Sequence, residues 1–230
     1  MFEDGYRARV IGSSGAIGSA FVEAFRRDAR CAGVAEVSRA QGTGFDLQDE
    51  GSIARHAQAA REGGPYRIVV DATGALVLDG AGPEKSLAAL DEQRLLRALH
   101  VNAVGPALVL RHFAPLLCEG ASVYAKLSAR VGSIADNRKG GWYGYRASKA
   151  ALNMLLQTAA IELQRRQPQL RVVALQPGTV RSALSAPFTA GVAGVLEPAA
   201  SVAGMLAAIE RLDERAGAHF VDHHGQQVPW

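Results

Sequence analysis

Six short β-prone segments recur along the chain, separated by stretches with helical apolar spacing, and this alternation limits the possible folds more than any other feature. The segments are Arg7 to Ile11, Gly33 to Val37, Arg67 to Val70, Ser122 to Leu127, Leu170 to Leu175 and His219 to Asp222. Between them lie an apolar, helix-compatible stretch at Ala20 to Phe25, a long helical run from about Asp91 through Leu117, and helices over Tyr145 to Gln164 and Ala199 to Leu212. Pro106 and Pro115 are expected to bend or shorten the long run, because proline cannot donate within a helix. Strands separated by helices of this length pair in parallel through right-handed crossovers, which predicts an α/β fold with an open, doubly wound parallel sheet and helices on both faces.

The first segment runs straight into Gly12-Ser13-Ser14-Gly15-Ala16-Ile17-Gly18 and then into the first helix. A glycine turn between a strand and a helix N-terminus brings backbone amides close to a pyrophosphate, where the helix dipole also favours negative charge. The motif predicts a Rossmann-type sheet with a dinucleotide site at Gly12, Ser14, Gly15, Ile17 and Gly18. The second strand ends at Ser38-Arg39 with no acid. An acid there would bind a ribose 2′-hydroxyl, whereas an arginine accommodates a 2′-phosphate, so NADP(H) is preferred over NAD(H). Asp46-Leu47 either caps the adenine edge or begins the next helix.

With 230 residues, 48% of them hydrophobic, the chain suits one core, and residues 1–230 are read as a single domain. The formal charge is +3 with no block of basic residues, so no nucleic-acid partner is expected. The first residues include Glu3 and Asp4, and no apolar run approaches the roughly 18 residues of a membrane span. A soluble, cytoplasmic protein without a membrane partner is expected. Cys31 and Cys118 lack metal-ligand spacing and are expected to be free, buried thiols, and no metal ligands are visible.

Tyr145-Arg146-Ala147-Ser148-Lys149 places a phenol and an ammonium four residues apart, on one face of a helix. A carbonyl reduced by hydride needs a proton at its oxygen, and an ammonium near a phenol is expected to lower its pKa and make it a usable acid or base near neutral pH.

These features combine with the Asp71-Ala72-Thr73-Gly74 turn, Asn102 within Val101-Asn102-Ala103, Ser128, and Pro177-Gly178-Thr179-Val180. In this order and spacing the chain resembles short-chain dehydrogenases/reductases over nearly its whole length. Gly132-Ser133-Ile134, Gly140-Gly141-Trp142-Tyr143, the string Tyr145 to Met154, and Val228-Pro229-Trp230 resemble the C-factor and Sniffer-type carbonyl reductase branch. The resemblance implies that Tyr145 is the acid/base, that Lys149 supports it and the nicotinamide ribose, and that Asn102 holds a water in a proton relay to Lys149. It also implies that Ala72 and Gly74 pass along the adenosine, and that Pro177, Gly178 and Val180 line the nicotinamide. The implied substrate is a small carbonyl or alcohol, and the implied assembly a homodimer or homotetramer through the two long central helices.

The sequence departs from the family pattern in several places. A Ser-Ser pair usually ends the strand before the catalytic loop, with the second serine donating to the substrate; here the chain reads Leu127-Ser128-Ala129. Ser128 replaces the missing hydroxyl if the strand end twists, and Ser133 does so if the following loop folds back. Ile11 stands for a common threonine, Ala16 for a glycine, and Asp71-Ala72-Thr73-Gly74 for Asn-Asn-Ala-Gly. Asp71 is read as structural, accepting backbone amides. The loop before Tyr145 is long, as in the C-factor branch, and Asn137 or Trp142 is expected to shape the pocket, with a packing role the alternative for both. Ala183, Leu184, Pro187 and Phe188 suggest an apolar lid. Three functions compete: reduction of a small ketone, aldehyde or quinone; a cofactor-binding signalling or regulatory protein with little turnover; and reduction of a bicyclic substrate such as a pteridine.

Overall fold

Apolar runs flanked by glycine and proline become six fully parallel strands in the computed structural model, which describes residues 2–183, 185, 186, 191 and 194–230, the side chain of Gln41 excepted. The strands are β1 (Tyr6–Ile11), β2 (Cys31–Val37), β3 (Ile68–Asp71), β4 (Ser122–Leu127), β5 (Leu170–Gln176) and β6 (His219–Asp222). They form one sheet in the order β2-β1-β3-β4-β5-β6. β3 and β4 are buried at every position, as expected for strands covered on both faces. The expected α/β class and doubly wound parallel sheet are what the chain adopts.

Helices cover both faces. α1 (Ala16–Arg27) and α6 (Pro198–Glu210) pack on one side, over a core that includes Val10, Phe21, Phe25, Val70, Met205 and Val221. α2 (Glu50–Ala60), α3 (Glu92–Leu99), α4 (Gly105–Phe113) and α5 (Tyr143–Gln164) occupy the other, over Val69, Phe113, Tyr124, Leu152, Leu156 and Phe220. The run from Asp91 to Leu117 is divided. A π-helical turn, His100–Val104, separates α3 from α4, Pro106 sits in the first turn of α4, and Pro115 falls in a short 3₁₀ turn, Ala114–Leu116. The helix after β2 starts at Glu50, not at Asp46-Leu47, which lie on the preceding loop; Asp46 Oδ1 accepts from the Gln48 amide at 3.0 Å, closing a local turn that delays the helix.

From β1 the chain steps outward to β2 and then crosses back to β3 on the other side of β1. Loops that leave β1 and β3 in opposite directions open a crevice at the carboxyl ends of these strands, where ligands of doubly wound sheets bind. Among the described residues no helix is long and apolar enough to cross a membrane. Cys31 and Cys118 are unpaired, as expected, but only partly buried rather than enclosed, because both lie at the rim of the sheet.

Candidate active site

The crevice holds two adjoining cavities of about 380 and 330 Å³ that share Gly15 and the segment Ala72 to Ala75. Together they form one cleft across the switch point between β1 and β3.

The glycine turn forms its floor. Gly12 has φ +84°, a conformation that favours glycine, and a Cβ there would meet Ala72 and Thr73 at 3.1 Å. A Cβ on Gly18 would lie 2.1 Å from Gly12 O, so α1 seats on the turn only through hydrogen at this position. Gly15 is the N-cap of α1 with extended backbone; no side chain caps the helix, and its first turn carries no acid. The first turn of α1 therefore lines the cleft with no side-chain cap on its amides, an arrangement that fits a pyrophosphate. A dinucleotide suits the remaining dimensions, since the cleft extends in two directions from this point.

The smaller cavity is lined by Gly12, Ser14, Arg39, Asp46 and Leu47. Arg39 is exposed on a 3₁₀ turn, Arg39–Gln41, directly after β2. Sequence reasoning missed Arg97, which approaches the same cavity from α3 with its Nε 3.5 Å from Asp79. Its helical neighbours gave no sign of which face it would occupy.

The larger cavity brings Ile17 and Gly18 together with Ser128, Trp142, Tyr145, Lys149, Pro177, Gly178 and Val180. Gly178, at φ +78°, leaves room for the His223 ring, which a Cβ would approach to 2.9 Å. Tyr145 and Lys149 rise from the first turns of α5, whose start is fixed by a buried carboxylate: Glu84 Oε2 accepts from the Gly144 amide at 3.0 Å, and Glu84 O accepts from the Trp142 amide at 2.5 Å. The sequence gave no hint of Glu84, which lies in the long loop after β3. Lys149 Nζ donates to Leu127 O at 3.2 Å and lies 5.8 Å from the centre of the Tyr145 ring. Trp142 stands edge-on to Tyr145 at 6.2 Å, with a left-handed backbone at φ 56°.

Burial pushes the Tyr145 phenol up to about 12. Burial, reinforced by the positive charge of Lys126 and opposed by Asp71, brings Lys149 down to about 7. This corrects the expectation that Lys149 lowers the phenol. Desolvation dominates at Tyr145, and a lysine titrating near neutrality carries too little charge to outweigh it. The cleft thus presents a protonated phenol beside a lysine poised near neutral pH.

Of the two candidate serines, Ser128 lines the cavity and donates to Asn153 Oδ1 at 2.6 Å. Ser133 is turned away: its Oγ accepts from the Asp136 amide at 3.0 Å and faces Trp230 O at 3.4 Å. The C-terminal residues run antiparallel beside β6 and hold that loop back, with the Ala135 amide also donating to Trp230 O. Asn137 Oδ1 accepts from the Gly140 amide within the exposed loop and does not line the cleft. Asn102 is fully buried in the π-helical turn, its amide bonded in both directions to the Ala75 backbone at 2.8 and 2.9 Å. A Cβ on Gly74 would meet Asn102 Oδ1 at 3.1 Å and Lys149 Nζ at 3.4 Å, so Asn102 and Lys149 flank the same glycine. Ala183 is exposed; Leu184, Pro187 and Phe188, the rest of the expected apolar lid, lie outside the described residues.

The fold and the cleft define a nucleotide-binding α/β protein with a tyrosine and a lysine at one end of its ligand crevice. The model of the short chain dehydrogenase family matches residues 7–193, and the chain belongs to that family. It is 33% identical over 168 residues to the C-signal protein of Myxococcus xanthus, covering 73% of this chain and 94% of that one. It is 31% identical over 188 residues to 1-hydroxy-2-glutathionyl-2-methyl-3-butene dehydrogenase of a Rhodococcus strain, covering 81% and 79%. The NADPH-bound carbonyl reductase from chicken fatty liver superposes with a TM-score of 0.84 at 21% identity, covering 99% of this chain and 95% of that one. The carbonyl reductase Sniffer of D. melanogaster superposes with a TM-score of 0.75 at 20% identity, covering 99% and 100%.

Proposed function

We propose that the chain is an NADP(H)-dependent reductase of small carbonyl substrates, with Tyr145 as acid/base. The observation that carries this reading is a single cleft holding an uncapped helix N-terminus at one point and a protonated phenol beside a buried lysine at another. NADP(H), when bound, supplies or accepts the hydride. Gly12, Ser14, Gly15, Ile17 and Gly18 would hold the pyrophosphate, Arg39 would take the 2′-phosphate, and Asp46, Leu47, Ala72 and Gly74 would line the adenosine. Pro177, Gly178 and Val180 would wall the nicotinamide end.

In the reductive direction the Tyr145 hydroxyl donates its proton to the carbonyl oxygen, a task for which a phenol held protonated at neutral pH is suited. Ser128 polarises the same oxygen once its hydroxyl leaves Asn153. Lys149 would hold the ribose hydroxyls and supports Tyr145, and Asn102, beside Gly74, holds a water in a proton relay reaching Lys149. The apolar walls formed by Leu76, Leu127, Val131 and Trp142 favour a substrate whose remainder is hydrophobic. Exposed Leu96 and Val104 on one side, and Met154, Leu155 and Ile161 on α5, supply apolar surface for a homodimer or homotetramer.

A second reading is a cofactor-binding regulatory protein with little turnover. It is favoured by Ala129 in place of a serine, by the hydrogen bond that occupies Ser128, and by the likeness to C-signal. Fluorescence titration with NADPH and NADH, followed by cofactor oxidation with a panel of ketones, aldehydes and quinones, separates the two. NADPH-selective turnover supports the reductase, and tight binding with no turnover across the panel supports the regulatory protein.

A further inference from the structure

The proposed chemistry leaves one buried charge without a task. Lys126, in β4, is fully buried, and its register partner in β3 is the equally buried Asp71. Lys126 Nζ lies 3.0 Å from Asp71 Oδ1 and donates to Thr73 O at 2.6 Å and to Thr73 Oγ1 at 3.1 Å. Asp71 Oδ1 also accepts from the Thr73 amide at 2.9 Å and the Thr73 hydroxyl at 2.5 Å. This knot closes the turn from Asp71 to Gly74, the wall shared by both halves of the cleft.

Stability is a weak reason for an ion pair here, because desolvation offsets most of the attraction and apolar residues of similar volume serve a core equally well. The position of the pair is more informative. One end of the turn it holds, Gly74, lies against Asn102 and Lys149. Lys149 also donates to the carbonyl of Leu127, the residue next to Lys126.

We propose that Lys126 is a positioning residue for the reaction, a second buried ammonium that acts on Lys149 by its charge and on the cofactor wall through Asp71 and Thr73. The consequence for turnover rests on the reductase reading; the action on Lys149 does not. The charged and titratable groups on the segments around Lys149 are Asp71 on β3, Tyr124 and Lys126 on β4, Arg130 on the turn after β4, Glu92, Arg94 and Arg97 on α3, His100 in the π-helical turn, and Tyr143, Tyr145 and Arg146 in the first turns of α5, with Glu84 against Gly144. Of these, Lys126 disfavours the protonated form of Lys149, reinforcing the larger effect of burial, whereas Asp71 favours it and opposes both. The two charges therefore act in opposite directions on the same group.

The chain has four lysines, Lys85, Lys126, Lys139 and Lys149, so ¹³Cε-lysine labelling gives a tractable NMR titration, with Lys149 assigned by its loss in Lys149→Met. The Lys149 midpoint is expected to rise by about one pH unit or more in Lys126→Met and to fall in Asp71→Asn. The double variant Asp71→Asn/Lys126→Asn, with a neutral pair, is expected to titrate above Asp71→Asn and nearer the wild type. In turnover, the limb of kcat/KM governed by Lys149 moves the same way in each variant, whereas a purely structural role lowers activity without moving it. An unchanged midpoint in both single variants, or a shift of the same sign in both, overturns the proposal. If Lys126→Met does not fold, equal midpoints in Asp71→Asn and the double variant overturn it instead. A wild type that reduces no carbonyl overturns the reductase reading, and the NMR midpoints still decide the action of Lys126 on Lys149.

Discussion

Gly18→Ala tests the cofactor cradle through packing alone. The added Cβ would stand 2.1 Å from Gly12 O and 2.9 Å from Gly12 C, both backbone atoms of a turn that is itself wedged against Ala72 and Thr73. Ordinary contact requires about 1 Å of movement, and neither partner is a flexible side chain. Overpacking of this kind costs about 1–3 kcal/mol, with a rigid backbone contact at the upper end. Replacing glycine in a helix returns about 1 kcal/mol of propensity, leaving a net loss of about 2 kcal/mol. For a chain of this size that lowers Tm by about 4–8 °C. Gly15→Ala is the control, because its Cβ would meet only Gly12 O at an unstrained 3.6 Å in extended backbone. Thermal unfolding followed by circular dichroism should show a clear drop for Gly18→Ala and a change under about 1 kcal/mol for Gly15→Ala. In Gly18→Ala the rise in Tm produced by NADPH should also be lost, since displaced amides no longer bind the folded state. Equal destabilisation by the two substitutions, or an undiminished NADPH-induced rise in Gly18→Ala, would refute the reasoning.

Three further outcomes are expected. Ser128→Ala lowers kcat by at least about tenfold, consistent with loss of a transition-state hydrogen bond, whereas Ser133→Ala leaves kcat unchanged and affects only the loop held by Trp230; steady-state kinetics of both variants checks this. Arg39→Ser weakens NADPH binding with little effect on NADH, as read by paired fluorescence titrations. His219 is fully buried, and desolvation lowers its pKa to about 4. A histidine whose folded pKa lies below its unfolded value of about 6.5 destabilises the fold on protonation, so its contribution is complete above pH 6.5 and is lost as pH falls toward 4. That loss is up to about 3 kcal/mol, and denaturant midpoints should fall less steeply over this window in His219→Leu than in the wild type.

The sheet was legible because parallel strands buried on both faces become apolar runs, and β3 and β4 are buried throughout. That certain residues meet in one cleft was legible for a related reason: the glycine turn, Ala72, Gly74 and Pro177 to Val180 follow strand ends, where the fold collects them. Two kinds of feature were not legible. α2 begins only after Asp46 closes its own turn, a local competition that apolar spacing does not register. Contacts between distant segments were hidden as well. Glu84 reaches the start of α5 across 60 positions, and Trp230 restrains Ser133 across 97. Lys126 falls within the strand expected over Ser122 to Leu127, and an acid and a base near the ends of adjacent strands, Asp71 and Lys126, carry a signal. That signal becomes readable only when the strand order places β3 beside β4.

The central claim is hydride transfer in this cleft with Tyr145 as proton donor, and a single-turnover reaction with NADPH deuterated at the nicotinamide C4 tests it most directly. The account predicts that wild type transfers deuterium to the carbonyl carbon of a hydrophobic ketone, and that Tyr145→Phe binds NADPH comparably but transfers at least about 10²-fold more slowly. Deuterium transfer at equal rates in both proteins, or tight NADPH binding with no transfer in the wild type, would contradict it.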